Sequence, residues 1–390
     1  MRKLMLLGGS AQQVIAIETA KRMGLYTILC DYLPDNPGQK YADKFFLIST
    51  TDRKAVMKVA QEEGIDGIIA YASDPAAPTA AYISEQLNIP GNPLKAVETL
   101  CNKDLFRSFL NENGFNVPKS KSFSIQEVYN TDGLVFPLII KPVDSSGSKG
   151  VTVVRRKEEI SKAVEYAYSY SQKKRIVIEE FVEKAHKYLI GGDIFVENGK
   201  VIIWGLLNCH RDKGVNPLVP VGKSYPLLIS PDDEQLVHAT LQKLVSCLGF
   251  RNGPMNVELV IDQRKKCWMI DIGPRSGGNM IPDLLGMIFN KNLVEMAIRV
   301  AMGLKASEGL YYASHNLHCN KDGYFKDVWF SPEIEKYIIR KNIYKKQGDE
   351  IHFFDNAAKA VGIVFFRFPG KEVMEDILEH INEHVSVITE

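Results

Sequence analysis

In the stretch Leu138-Ile-Ile-Lys141-Pro-Val-Asp-Ser145-Ser146-Gly147-Ser148-Lys149-Gly150-Val-Thr-Val-Val154, an apolar run of β type ends at a lysine and Pro142. A turn of Ser, Gly and Asp follows, and a second β-branched run leaves it, which predicts a glycine-rich hairpin. Gly147 and Gly150 permit positive φ and close backbone approach, so successive N–H groups can converge on an anion, with Lys141 and Lys149 adding charge. The loop leads into a strand and lacks G-x-x-x-x-G-K-[ST], so it is neither a Walker loop nor a Rossmann fingerprint. Two readings fit it by itself: a solvated Ser/Gly hairpin, or a β-loop-β cover over a polyphosphate.

The surrounding composition is that of an ordinary globular protein. The chain has 390 residues, 45% hydrophobic and 24% charged, enough for two or three cores. A formal net charge of +1 gives no electrostatic footprint for nucleic acid or an anionic membrane. The opening Met1-Arg-Lys-Leu-Met-Leu-Leu7 is too short for a signal sequence and reads as a strand, and no run approaches the roughly 18 apolar residues of a membrane span. A cytoplasmic protein with no nucleic-acid or membrane partner is expected. The six cysteines are scattered without a C-x-x-C pair, which argues for free thiols over a disulfide framework or a zinc knuckle.

Residues 1–95 alternate strand and helix: strands at Lys3–Leu7, 26–30 and 67–71, helices at 12–23 and Arg53–Glu63. This predicts a doubly wound domain whose ligands gather at the carboxyl ends of its strands. Ser10, Gln12, Asp31, Ser73 and Asp74 lie at those ends, each also readable as a turn residue or N-cap. The first turn, Gly8-Gly9-Ser10-Ala11-Gln12-Gln13, lacks the third glycine of a dinucleotide fingerprint, which argues against a dinucleotide oxidoreductase.

Past Pro90-Gly91-Asn92-Pro93, helices are predicted over 93–99 and 103–113. Lys103 near a helix start opposes the macrodipole unless an anion faces it. The opening hairpin, a helix over 157–170 and a strand over 175–179 make an α+β unit that ends in Glu179-Glu180-Phe181-Val182-Glu183. A strand leaving two acids, an aromatic and an aliphatic residue offers edge N–H and C=O groups beside apolar surface, as a heteroaromatic base requires.

A second α+β unit follows over 186–305. Asn198-Gly199 joins two strands as a hairpin. The second strand runs into His210-Arg211-Asp212-Lys213, and a helix over 232–248 precedes strands Gly253–Ile261 and 267–272. These strands bring Glu258 and Asp271 side by side, and paired carboxylates of that kind suit Mg²⁺ bridging phosphates better than zinc. Arg275-Ser276-Gly277-Gly278-Asn279 then offers backbone N–H groups and an arginine fork. The remaining residues end in a strand over 361–368 and a helix over 373–384; His315, His318 and His352 have no metal-ligand spacing.

Lys103, Lys141 before a Ser/Gly hairpin, Glu179-Glu180-Phe181-Val182-Glu183, Glu258 and Asp271-x-Gly-Pro-Arg275 occur in an order and spacing that resembles the ATP-grasp superfamily. The likeness covers about residues 1–305 and is greatest to its carbamoyl-phosphate-synthase-type and carboxylate–amine ligase members. It implies an α/β and α+β fold: a doubly wound pre-ATP-grasp domain (1–95), two ATP-grasp subdomains (96–185 and 186–305) and a small C-terminal α+β segment (306–390).

The resemblance also implies roles. Lys103, Lys141 and the loop Ser145, Ser146, Gly147, Ser148, Lys149 and Gly150 would hold ATP phosphates, with Lys141, Lys149 and Arg275 acting in catalysis. Glu179 would take the adenine amino group, Glu180, Phe181 and Val182 would form the hinge, Glu183 would bind ribose, and His210 would stand near the transferred phosphate. Glu258 and Asp271 would hold Mg²⁺ or Mn²⁺. Ser10, Asp31, Ser73, Asp74, Arg275, Ser276, Gly277, Gly278 and Asn279 would surround the substrate.

The implied reaction activates a small carboxylate as an acyl phosphate and passes it to an amine or thiol, releasing ADP and phosphate. A homodimer is the common state in the family. A purine-pathway ligase, a bicarbonate-activating carboxylase and a nucleotide-binding protein without ligase activity are the alternatives. Two positions depart from the family pattern: Gly273, where many members have Asn, and the region of His186, where many have a carboxylate.

Overall fold

A computed structural model describes residues 1–145, 147–212, 214, 216–307 and 311–390, without the side chains of 216 and 217. It forms two compact units, Met1–Ala306 and Ser307–Glu390.

The first unit opens with strands β1 (Lys3–Leu7), β2 (Tyr26–Asp31), β3 (Lys44–Leu47) and β4 (Gly67–Ile69), all parallel in the order β3-β2-β1-β4. The unbroken apolar run at β1 follows from burial on both faces. Met5 and Leu7 pack with Val56, Val59 and Ala60 of helix α2 (Arg53–Glu63) and with helix α3 (Ala77–Leu87). Leu4 and Leu6 face Ala16, Ile17 and Ala20 of helix α1 (Val14–Arg22). Helix α2 starts where Asp52 caps the N–H groups of Lys54 and Ala55, and stops at Gly64. Helix α3 was not legible as an element, because its Ala-rich sequence carries little periodic contrast.

Helices α4 (Leu94–Leu100) and α5 (Lys103–Glu112) lead into a four-stranded antiparallel sheet. Its strands β5 (Ser120–Ser124), β6 (Leu138–Pro142), β7 (Thr152–Val154) and β8 (Arg175–Glu180) lie in the order β5-β8-β6-β7. Helix α6 (Ile160–Tyr170) closes its apolar face through Ile160, Ala163, Val164 and Ala167.

A five-stranded antiparallel sheet follows, from β9 (Leu189–Glu197), β10 (Lys200–Asp212), β11 (Asn216–Ser224), β12 (Gly253–Ile261) and β13 (Cys267–Gly273), in the order β11-β10-β9-β12-β13. The β9–β10 turn has Asn198 and Gly199 at positive φ, as an Asn-Gly hairpin requires. Strand β11 escapes a sequence reading because Pro217, Pro220 and Gly222 interrupt it. Such residues are tolerated at a sheet edge, and its pairing to β10 is correspondingly irregular. Helix α7 (Pro231–Leu248) covers one face, burying Leu241, Leu244 and Val245 against Met255 and Val257. Helices α8 (Ile281–Phe289) and α9 (Leu293–Ala301) complete the unit, and Val294 and Ile298 of α9 pack into the apolar cluster around Leu4 and Leu6.

The second unit contains two three-stranded sheets around Leu317, Phe325, Val364, Phe366 and Phe368. Its final strand, Val385–Thr389, ends a helical stretch that the sequence pattern joins into one helix and the structure divides at His380.

Candidate active site

The loop between β6 and β7 turns through Gly147 (φ +65°), Ser148 (φ +58°) and Gly150 (φ +74°). At Gly150 a Cβ would lie 2.7 Å from Pro142 Cγ, so both φ and space demand glycine. Ser145 Oγ donates to Lys149 O (2.9 Å), and Ser148 Oγ donates to Leu218 O on β11 (2.9 Å). Ser146 and Lys213 lie outside the described residues. Lys149 is exposed and stands apart from the cavity described below.

Beneath the loop lies a buried charge triad. Lys141 Nζ is 2.7 Å from Glu179 Oε2, and Arg107 Nε is 2.8 Å from Glu179 Oε1, all three side chains being 5% exposed or less. Arg107 also donates to the carbonyls of Met269 and Ile270 on β13. Burial works to raise the Glu179 carboxyl, but Arg107 and Lys141 overcome it and hold its pKa at about 2. Burial pushes the Lys141 ammonium down, against the pull of Glu179. The Glu179 carboxylate is therefore committed to two cations inside the fold, where the sequence reading gave it to a base.

At the β8 exit, the N–H groups of Glu180 and Phe181 are taken by the carbonyls of Lys119 and Pro137, which narrows the expected hinge donor to Val182. Glu183 is exposed. His210 is 2.9 Å from Ser224 Oγ, lies against the Tyr188 ring in a tilted arrangement and stays outside the cavity lining.

A cavity of about 530 Å³ opens between the loop, the five-stranded sheet and the parallel domain. Strands β12 and β13 pair Glu258 with Asp271 and Asn256 with Gly273, so these residues share one face of the sheet. Lys103, at the start of α5, reaches Asp271 (3.2 Å) and Ser145 O (3.1 Å), which supplies the anion its helix position calls for. Burial raises the Asp271 carboxyl, and Lys103 with Lys141 more than offsets it, leaving the pKa below the ordinary value. Glu258 is 3.2 Å from Arg211 Nη2, while Arg211 Nη1 is buried with no hydrogen-bond partner among the described residues.

Two register-paired carboxylates beside a phosphate-type loop fit Mg²⁺, which takes one or two protein carboxylates and fills its shell with water and phosphate oxygen. No group of three or more His, Cys, Asp or Glu side chains suited to a metal occurs among the described residues.

At the other end of the cavity, Arg275 Nε and Nη2 lie 2.8 and 2.5 Å from the two oxygens of Asp74, on the loop after β4. Gly273 is the departure from the family pattern, and the structure explains it: a Cβ there would lie 2.4 Å from Asp74 Oδ1 and 3.2 Å from Arg275 Nε. Gln12, Gly278 and Asn279 line the same end, with Gln12 Oε1 accepting from the Asn279 N–H (3.0 Å).

Several residues expected around the substrate do other work. Asp31 is buried and accepts from Gly9 and Leu33 N–H, holding the first turn. Ser10 bonds Gln13 as part of a capping box. Ser73 is outside the cavity lining, its carbonyl accepting from Ala77. Ser276 is buried, and the Gly277 N–H is taken by Asp193 (2.7 Å), so both lie beneath the cavity wall.

Sequence reasoning missed Arg107, Asn256 and Lys223. Arg107 sits one turn beyond Lys103 on α5, and Asn256 two residues before Glu258 on β12; those periodicities carried the signal. Lys223 lines the cavity with Nζ 2.7 Å from Cys209 Sγ, on the strand whose prolines concealed it.

Residues 134–283 match the family model described as the ATP-grasp domain, and the chain carries that domain. Its fold is the ATP-grasp fold preceded by a doubly wound domain. The chain is 31% identical over 189 residues to a formate-dependent phosphoribosylglycinamide formyltransferase of Prochlorococcus marinus, covering 47% of this chain and 48% of that protein. It is 23% identical over 335 residues to the carbamoyl phosphate synthase large chain of Clostridium beijerinckii, covering 82% of this chain and 29% of that one. The matches thus span about half the length of the first relative and under a third of the second. Among solved structures, an L-amino acid ligase from Bacillus licheniformis superposes with a TM-score of 0.65 at 20% identity, covering 100% of this chain and 99% of that one. Among the described residues, no helix is long and apolar enough to cross a membrane.

Proposed function

We propose that this protein is an ATP-dependent carboxylate–amine ligase that works through an acyl phosphate and releases ADP and phosphate. The observation that carries this is the convergence on one cavity of the loop residues Ser145, Gly147 and Ser148, Lys103, the Glu258–Asp271 pair and the Arg275 fork. Loop amides and Lys103 would bind the polyphosphate, with Lys141 fixed beneath by Glu179. Mg²⁺ held by Glu258 and Asp271 would offset charge on the phosphate oxygens. Arg275 would orient the carboxylate, one oxygen of which attacks the γ-phosphorus as the bond to the ADP oxygen breaks. Catalysis of such a transfer is chiefly positioning and electrostatic. An amine then attacks the acyl carbon, phosphate leaves with the former carboxylate oxygen, and an amide forms with loss of one proton from nitrogen. Closure of the loop over the site would keep water from the anhydride.

The test is release of ADP and phosphate from Mg-ATP with pools of carboxylates and amines. Dependence on both pools, with loss in Glu258→Gln and Lys103→Ala, supports the reading. AMP and pyrophosphate as products, or turnover unchanged in both variants, overturns it.

A further inference from the structure

Under the reading just given Arg275 serves the incoming carboxylate, and Asp74 has no part. Yet Asp74 is the residue that occupies the Arg275 fork, through two hydrogen bonds, with the side chains 14% and 19% exposed and both lining the cavity. Taking that ligase reading as the base, we propose that the Asp74–Arg275 pair is the resting form of a receptor for a zwitterion. The carboxylate activated here belongs to an α-amino acid, whose carboxylate takes Arg275 and whose ammonium takes Asp74.

Charge is the first argument. A simple carboxylate that captured Arg275 would strand Asp74 as an unpaired, largely buried anion, which is costly. An α-amino acid brings one anion and one cation, so one internal pair becomes two intermolecular pairs and no charge is left over.

Space is the second. Position 273 is glycine where any side chain would meet Asp74 and Arg275, and the cavity that both residues line also includes Ala72, Pro75, Pro78 and Ile281, alongside the polar Gln12, Thr79 and Asn279, as surface for a side chain. Arg275 is also the better anchored of the two: it lies two residues past β13 with its carbonyl accepting from the Asn256 N–H (3.0 Å), whereas Asp74 sits in the loop between β4 and α3. Opening of the pair therefore belongs to the Asp74 side.

The chemistry assigns a direction. Held by Asp74, the α-nitrogen stays protonated and has no lone pair, so this amino acid is the acyl donor and another molecule supplies the amine. Its carboxylate and ATP give an aminoacyl phosphate and ADP; the amine then displaces phosphate and loses one proton.

Hydroxylamine as acceptor tests this without knowledge of the natural amine, since it converts an acyl phosphate to a hydroxamate detectable by mass spectrometry. The protein is incubated with Mg-ATP, hydroxylamine and, in turn, proteinogenic L-α-amino acids and their des-amino and 2-hydroxy counterparts. At least one amino acid should give hydroxamate and ADP with kcat/KM about 10⁴-fold above its des-amino counterpart, the scale on which a site built for a polar group rejects an analogue lacking it. Asp74→Asn should raise KM for the amino acid about tenfold or more with KM for ATP unchanged, and should shrink the discrimination; Asp74→Glu should restore part of it. A latch between domains would instead lower both substrate types and the melting temperature together, and that result overturns the proposal. Hydroxamate from acids without the amine, at equal or greater efficiency, also overturns it while leaving the ligase reading intact. No ADP and no hydroxamate from any acid overturns both.

Discussion

Replacing Glu179 with Gln removes the one anion between Arg107 and Lys141 while keeping the side chain's shape. The consequence follows from geometry: the three groups are within 2.8 Å contacts and at most 5% exposed, so two cations would be left facing each other in a dry interior. Breaking a buried pair in this way costs about 3–5 kcal/mol. The Glu179 carboxyl, ordinarily at 4.5, is held down at about 2 in the fold, so its ionised form favours the folded state.

The sign is set by a depressed acid: the stabilisation is fully present above pH 4.5 and is lost as pH falls through about 2. Lys141 works in the opposite sense, since burial disfavours its charge, so the triad as a whole contributes less than removal of its anion would suggest. We expect Glu179→Gln to lower stability by about 3 kcal/mol at pH 7, roughly 6 °C in melting temperature for a unit of this size. Urea denaturation and scanning fluorimetry across pH 7 to pH 3 would measure it. The gap to wild type should narrow in acid, because below pH 4.5 the unfolded chain's Glu179 takes up a proton that the native carboxylate, held near 2, does not, and the Gln variant has no such proton to take. A variant within 1 kcal/mol of wild type at pH 7, or a gap that does not narrow, would refute this reasoning.

Three further outcomes are expected. Gly150→Ala meets both a φ of +74° and Pro142 Cγ at 2.7 Å, so it should distort the loop, raising KM for ATP about tenfold in steady-state ADP release. Gly273→Ala places a methyl 2.4 Å from Asp74 Oδ1; it should cost about 1–3 kcal/mol in urea melts and open the Asp74–Arg275 pair, so an unaltered melt would contradict the packing. Burial pushes the Cys30 and Cys267 thiols up to about 12, whereas Cys247 is exposed. Iodoacetamide at pH 8 should therefore label Cys247 in the native protein and leave Cys30 and Cys267 unmodified until urea is added, as peptide mass spectrometry would record.

How much was legible depended on whether a signal was local. The hairpin from Leu138 to Val154, the Asn198-Gly199 turn and the strands bearing Glu258 and Asp271 are written in short-range patterns, and they form as read. Partner choice across the fold is not written that way. Glu179 reads as an acid offered to a base at the end of its strand, yet Arg107, 72 residues away, pairs with it inside the fold. Asp31 has the position of a ligand acid, but the Leu33 N–H in its own loop and the Gly9 N–H in the turn after β1 compete for it and win. Strand β11 was invisible because edge strands accept the very prolines that sequence rules treat as breakers. Gly273 looked like a defect in a metal site; only the loop from the parallel domain, some 200 positions earlier, explains the missing side chain.

The paired charges around the cavity also bear on the order in which ligands would bind. In the lining Lys103 is held by Asp271 and Arg275 by Asp74, and Arg211 reaches Glu258 from outside it, so three cations rest against the acids that the proposed chemistry assigns to metal and substrate. Metal-free ATP would bring a polyanion against Glu258 and Asp271, and its attraction to Lys103 would be opposed by those carboxylates. Glu258 and Asp271 would hold Mg²⁺, whose charge would offset theirs, and Lys103 and Arg211 would then be free to turn toward phosphate oxygen. Arg211 already holds a buried Nη1 with no partner among the described residues, a donor that such an exchange would satisfy. On this reading the productive ligand is Mg-ATP entering as a unit, and the site's internal salt bridges keep its charges compensated until it does.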